Sequence, residues 1–226
     1  VESGSRAWGF ASPDSDYDVR FIYVRPRESY LRLNRLRDVI ELPADDVLDI
    51  NGWDLDKTLR LLYKSNPTVF EWFSSPLVYQ TTPFAETFKS VMRCYFLSKS
   101  SLWHYLHMAD GNYRESLRGG TVKAKKYFYV LRPVLACRWI LERETPPPML
   151  FSELAESQLP EYLEDTVREL LELKINAPEI QMIPRIDILN EYLEQSIVEI
   201  GELVRQYPKE SPQDWAELNS LFLSAL

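Results

Sequence analysis

The chain has 226 residues, with 26 Lys and Arg against 34 Asp and Glu and a formal net charge of −8. That balance excludes a polycation that grips nucleic acid by bulk charge, and 45% apolar residues with 7 Gly and 15 Pro exclude a disordered or fibrous chain. The charge is uneven: residues 1–150 carry 21 bases against 18 acids, whereas residues 151–226 carry 5 against 16. An anionic substrate is expected to meet the first part. The acidic remainder reads as a solvated helical surface or as a face for a protein partner.

Cys94 and Cys137 both fall in apolar helical patterns, where a reduced thiol packs as a small hydrophobe, and two cysteines make no disulfide framework. A reducing, cytoplasmic setting is expected. No apolar run nears the roughly 18 residues of a membrane span, and VESGSRAWGF lacks the basic-then-apolar profile of a signal peptide. Val1 enters in mid-pattern, as if an upstream helix and most of a first strand came before it.

The first 80 residues read as mixed α/β. Residues 17–24 (YDVRFIYV), DVIEL and VLDIN are strand-like runs between polar or Pro-bearing breaks. At Asp54 the period changes to helical through Leu55, Leu59, Leu62 and Tyr63, and Asn66-Pro67 then reads as an N-cap with Pro at the first helical position. From Pro83 the pattern is helical near 83–97, 99–108, 121–143, 151–157, 160–174, 185–206 and after Pro212. The expected architecture is α+β: a small mixed sheet of about four strands over 1–80, then a helical bundle over 81–226. Pro133 is expected to kink the long helix by removing a bond to the carbonyl of Tyr129.

The stretch that carries chemistry is Gly4-Ser5-Arg6-Ala7-Trp8-Gly9 followed by Ser15-Asp16-Tyr17-Asp18-Val19-Arg20. Two residues apart at a strand mouth, Asp16 and Asp18 project to one face. Converging carboxylates repel, and hard oxygen ligands suit Mg²⁺ or Mn²⁺. The Gly4-Ser5 pair before a short helix offers backbone N–H groups and a hydroxyl to phosphate oxygens. An isolated D-x-D is more often a turn or cap than a metal site. Here the ordered conjunction of both elements is the signal.

This pattern resembles the DNA polymerase β-like nucleotidyltransferase superfamily, whose small members carry G-S-x-x-x-G and then S-D-x-D with an apolar residue. The runs DINGWDLDKTLRLLYKSNPTVFEWFSSPLVY and KAKKYFYVLRP are similar to its bacterial RNA-ligase-associated group. The resemblance implies metal-dependent transfer of a nucleoside monophosphate from an NTP to a hydroxyl acceptor, an RNA end among the candidates. It implies a third carboxylate, assigned to Asp49 in VLDIN, with Asp54 as rival and more naturally an N-cap. Asp45, Asp46 and Glu41 read as solvated loop or edge carboxylates. Asp16, Asp18 and Asp49 would then hold the metal, and Gly4, Ser5 and Arg6 the phosphates.

Other residues stay open between two readings. Arg20, on the strand face of the Asp pair, either adds charge for the substrate or is a structural ion-pair partner. Lys125, Tyr129 and Arg132 form a stripe at i, i+4 and i+7, with Lys126 beside it, that binds triphosphate or RNA if it lines a groove against the first 80 residues and is otherwise a solvated helix face. Trp72, Trp103 and Trp139 read as core, and Trp8 as packing its turn against the sheet. His104 and His107 lack the partners of a zinc set. A non-catalytic NTP-binding or partner-regulating module of the same fold is the alternative function.

Overall fold

The computed structural model describes residues 1–43, 47–178, 180–211 and 214–226. The fold is α+β, and the chain falls into two compact units. One comprises residues 1–4, 16–97 and 211–226; the other comprises residues 5–15 and 98–210. The segment with the Gly-Ser turn therefore divides between them at Gly4.

The first unit holds a three-stranded sheet in the order β1-β3-β2, built from β1 (Tyr17–Tyr23), β2 (Val39–Glu41) and β3 (Leu48–Asp54). Among the described residues this sheet has three strands where about four were expected. β1 and β3 run parallel, with Asp18 opposite Asp49 and Phe21 opposite Gly52. The Phe21 ring covers Gly52 so closely that a Cβ there would stand 2.2 Å from it. Residues 1–3 line the outer edge of β1, where Val1 and Arg20 exchange backbone bonds of 2.9 Å.

β3 runs straight into α3 (Leu55–Tyr63), because the Asp54 side chain accepts the Asp56 N–H at 3.0 Å and caps the helix. Asn66 caps α4 (Pro67–Ser74) in the same way, with Pro67 at its first position. The apolar stripe of α3 meets α4, α5 (Pro83–Met92) and the last helix, Ala216–Ser224, burying Leu55, Leu59, Leu62, Phe70, Phe88 and Leu221 in one core. Residues 93–95 turn as a 3₁₀ helix. A short helix, Arg27–Tyr30, joins β1 to β2 and becomes α2 in chain order, α1 being Gly4–Ala7.

The second unit is a helical bundle around α6 (Ser98–Ser116), α7 (Ala124–Arg143), α8 (Phe151–Gln158), α9 (Glu164–Asn176) and α10 (Asp187–Gln206). The final helix of the first unit is α11. Residues 121–123, expected to begin a helix, instead form β4, which pairs antiparallel with β5 (Met182–Pro184). The β-branched Thr121 and Val122 after Gly119-Gly120 favour that extended start. α6 runs on past the expected end at 108 to Ser116, and α7 continues as one helix through Pro133.

Three expectations about packing are corrected. Trp72 is core, but Trp103 and Trp139 are half-buried: Trp103 stacks on His107 and Trp139 lies under the Arg143 guanidinium. Cys137 is fully buried, whereas Cys94 is exposed, because the buried stripe here runs through Phe88, Val91, Met92 and Tyr95 and Cys94 falls off it. No described helix is long and apolar enough to cross a membrane.

Candidate functional site

The site begins from the parallel ladder. Asp18 on β1 faces Asp49 on β3 at paired positions, and both side chains share the sheet face of Arg20, two residues past Asp18. One guanidinium nitrogen of Arg20, Nη2, donates to Asp18 Oδ1 at 2.7 Å and to Asp49 Oδ2 at 2.7 Å. Its Nη1 donates to the Asp49 carbonyl at 2.8 Å and the Val19 carbonyl at 3.1 Å.

Acidic groups crowd this point. Glu2, fully buried, accepts the Asp18 N–H at 2.8 Å through Oε1, while Tyr79 donates its hydroxyl to the other oxygen. Burial raises the Asp18 carboxyl above its ordinary pKa. Arg20 opposes that rise, and the charges of Asp16, Asp49 and Glu2 add to it. A carboxylate pair of this kind, short of positive charge and made of hard oxygen donors, fits a divalent cation.

Asp16 is exposed, one residue before β1. The Asp16 charge still bears on the Asp18 carboxyl, although among the described residues no three Asp, Glu, His or Cys side chains converge as a metal-ligand set. Asp54 occupies the far end of β3 and, five residues from Asp49, the other sheet face. It is buried at 3% exposure, caps α3, pairs with Arg25 at 3.1 Å and accepts the Tyr30 hydroxyl at 2.8 Å. Glu41 is exposed on the edge strand β2 and bonds to Arg37, whereas Asp45 and Asp46 lie outside the described residues.

Gly4 closes the approach to Asp18. It sits at φ +59°, and a Cβ there would stand 1.9 Å from Asp18 Oδ2, so only glycine permits the turn to lie on the carboxylate.

The remaining motif residues belong to the second unit. Ser5 is buried and donates to Ser15 Oγ at 3.1 Å, and Arg6 donates to the Ser15 carbonyl at 2.7 Å. Ser15 Oγ also accepts the Ser12 N–H at 2.9 Å. Lys174, at 3% exposure, reaches Ser12 Oγ at 2.6 Å and Ser15 Oγ at 3.5 Å, and Ser12 Oγ donates back to the Lys174 carbonyl. Ser12 and Lys174 lie outside the sequence motif, whereas Ser15 opens its S-D-x-D half. The available signal was Lys174 falling in register with Val167 and Leu170 on the buried stripe of α9, a position where an apolar residue is expected.

Trp8 packs on Phe10 and edge-on to Tyr129, with the Arg132 guanidinium 4.7 Å from its ring centre. These contacts lie within the helical unit. Of the expected stripe, Arg132 is buried at 2% exposure and touches Met149 Sδ at 3.7 Å, while Lys125 and Tyr129 are half-buried and Lys126 lies over the Tyr129 ring. The stripe is thus not a uniformly solvated face.

A small sheet with paired carboxylates beside a Gly-Ser turn defines the polymerase β-like class. Residues 1–224 match the model of the RNA repair pathway DNA polymerase beta family, RlaP, and the chain belongs to that family. It is 46% identical over 228 residues to the uncharacterized protein YcgL of Bacillus subtilis (strain 168), covering 100% of this chain and 88% of the relative. No solved structure matches.

Proposed function

We propose that this chain transfers a nucleoside monophosphate from an NTP to a hydroxyl acceptor, an RNA end, the acceptor oxygen bonding the α-phosphorus as pyrophosphate leaves, with Mg²⁺ or Mn²⁺ as cofactor. The observation that carries this reading is the Asp18–Asp49 pair on neighbouring parallel strands, meeting at one positive group beside the Gly4 turn. A bound divalent ion supplies charge neutralisation for the attacking and leaving oxygens. Asp18 and Asp49 hold it in this reading, with Asp16 as the third carboxylate. Asp49, the more exposed of the pair at 40% against 22%, accepts the proton of the attacking hydroxyl. The Gly4 backbone, Ser5 and Arg6 bind the phosphates, and Lys125 and Tyr129 contribute nucleotide or RNA contacts, with Arg132 buried beside them against Trp8.

The test is incubation of the intact chain and Asp18→Asn with each labelled NTP, Mn²⁺ and an RNA mixture. Label in RNA with the intact chain and none with Asp18→Asn is the expected result. Label in protein reassigns the acceptor, and label nowhere removes the transferase reading. One observation favours the second reading, a non-catalytic NTP-binding or partner-regulating module: Arg20 already pairs with both carboxylates. Under that reading NTP binds without transfer, and the acidic helices α9 and α10 offer the face for a protein partner.

A further inference from the structure

Arg20 makes four bonds, three of them to residues assigned to the metal. Its Nη2 bridges Asp18 Oδ1 and Asp49 Oδ2, and its Nη1 bonds to the Asp49 and Val19 carbonyls. The side chain is only 15% exposed, so water screens these contacts weakly. Two carboxylates on one face need positive charge. A guanidinium brings one unit in a fixed fork, and a divalent ion brings two at a single centre. An oxygen that accepts from Arg20 at 2.7 Å directs that lone pair to the guanidinium and not to an ion, so the two cations draw on the same two carboxylates.

We propose that Arg20 is an internal counter-cation that competes with the divalent ion for Asp18 and Asp49, holding the carboxylate pair closed until metal displaces it. Its period-two placement after Asp18 makes this possible: a side chain at position 19 or 21 projects to the other sheet face, and only one at position 20 reaches both acids. In this view Arg20 is a positioning residue. It preserves the convergence of two like charges in the metal-free chain and sets the metal concentration at which the site fills. The proposal rests on the metal-dependent reading above.

The experiment is a Mn²⁺ titration without nucleotide, followed by the electron paramagnetic resonance signal of free Mn²⁺, on the intact chain, Arg20→Met and Arg20→Lys. Arg20→Met is expected to bind Mn²⁺ about tenfold more tightly, as a charge-assisted competitor is removed. Arg20→Lys falls between, because an ammonium on a flexible stem does not bridge both acids as a fork does. In metal-free thermal melts Arg20→Met unfolds at a lower temperature than the intact chain, and millimolar Mn²⁺ raises its midpoint by the larger amount. Equal or weaker Mn²⁺ affinity in folded Arg20→Met overturns the competition and leaves the metal-dependent reading standing. Absence of Mn²⁺ binding in all three chains overturns both. Should Arg20→Met not fold, Arg20→Lys decides: tighter binding than the intact chain supports the proposal, and equal or weaker binding overturns it.

Discussion

The space left by the absent side chain of Gly4 is the space the Asp18 carboxylate fills: a Cβ at Gly4 would lie 1.9 Å from Asp18 Oδ2, at a backbone φ of +59°. Glycine thus meets two demands at once, a left-handed backbone and close approach to an acid. Gly4→Ala is expected to cost about 2–4 kcal/mol, the sum of the left-handed penalty and an overpacked contact. Urea denaturation measures it, and a loss below about 0.5 kcal/mol would show that the turn relaxes away from Asp18.

Asp18 itself is expected to be dispensable for stability. Its folded pKa lies above the ordinary carboxyl value through burial first, so the folded state holds this proton more tightly than the unfolded state does. Stability from this group is present below the unfolded pKa and is lost as pH rises through the folded one. Asp18→Asn removes that loss while keeping an acceptor for Arg20. At pH 7 it is expected to melt no lower than the intact chain, and the two melting curves converge as pH falls to the ordinary carboxyl range. A pronounced fall in the Asn variant's midpoint at pH 7 contradicts this.

Asp54 is expected to behave in the opposite way. It caps α3, pairs with Arg25 and accepts the Tyr30 hydroxyl, all at 3% exposure. Asp54→Ala is expected to cost about 2–3 kcal/mol, combining a lost cap with buried donors left unsatisfied, and to leave Mn²⁺ affinity unchanged, whereas Asp49→Ala is expected to weaken it. The same contact marks Tyr30, whose phenol is pushed up to about 12 by burial first, with the Asp54 bond adding and the Arg25 bond opposing. Because the unfolded phenol ionises first, stability from Tyr30 is held below about pH 10 and falls as pH climbs toward 12. Ultraviolet titration of the Tyr30→Phe difference spectrum reads this directly.

Lys174 is expected to hold residues 5–15 in place within the helical unit. Lys174→Met keeps the bulk and removes the bonds to Ser12 and Ser15, for an expected loss of about 2 kcal/mol on the scale of a buried charged hydrogen bond. Hydrogen exchange gives the local readout: the Phe10 amide, bonded to the Ser5 carbonyl at 3.0 Å, is expected to exchange faster. Unchanged protection there would show that the segment is held by Phe10 packing on Phe128 and Phe151 instead.

Lys125 and Arg132 separate on the same helix. Arg132→Gln is expected to lower the midpoint, because the guanidinium is buried against Trp8 and Met149. Lys125→Ala is expected to leave the midpoint within the range of a surface substitution, about 0.5 kcal/mol, and to raise the Michaelis constant for NTP. Equal Michaelis constants for Lys125→Ala and the intact chain remove Lys125 from the nucleotide site.

What the sequence determined by itself was local. The order Gly4-Ser5, Asp16, Asp18 named the class, because that spacing is a property of the chain. The caps at Asp54 and Asn66 were legible because a cap is a contact between neighbours two residues apart. The period-two pattern likewise placed Asp18 and Arg20 on one face. What only the tertiary structure decided was long-range. The parallel register sets Asp49 opposite Asp18, and no local pattern encodes which residues of two strands face each other. It gave Arg20 to both acids at once. It buried Lys174 against Ser12, 162 residues away in the chain, and it turned Trp8 to Arg132. Such contacts depend on where distant elements pack, and packing is a sum over the whole core that a sequence window does not contain.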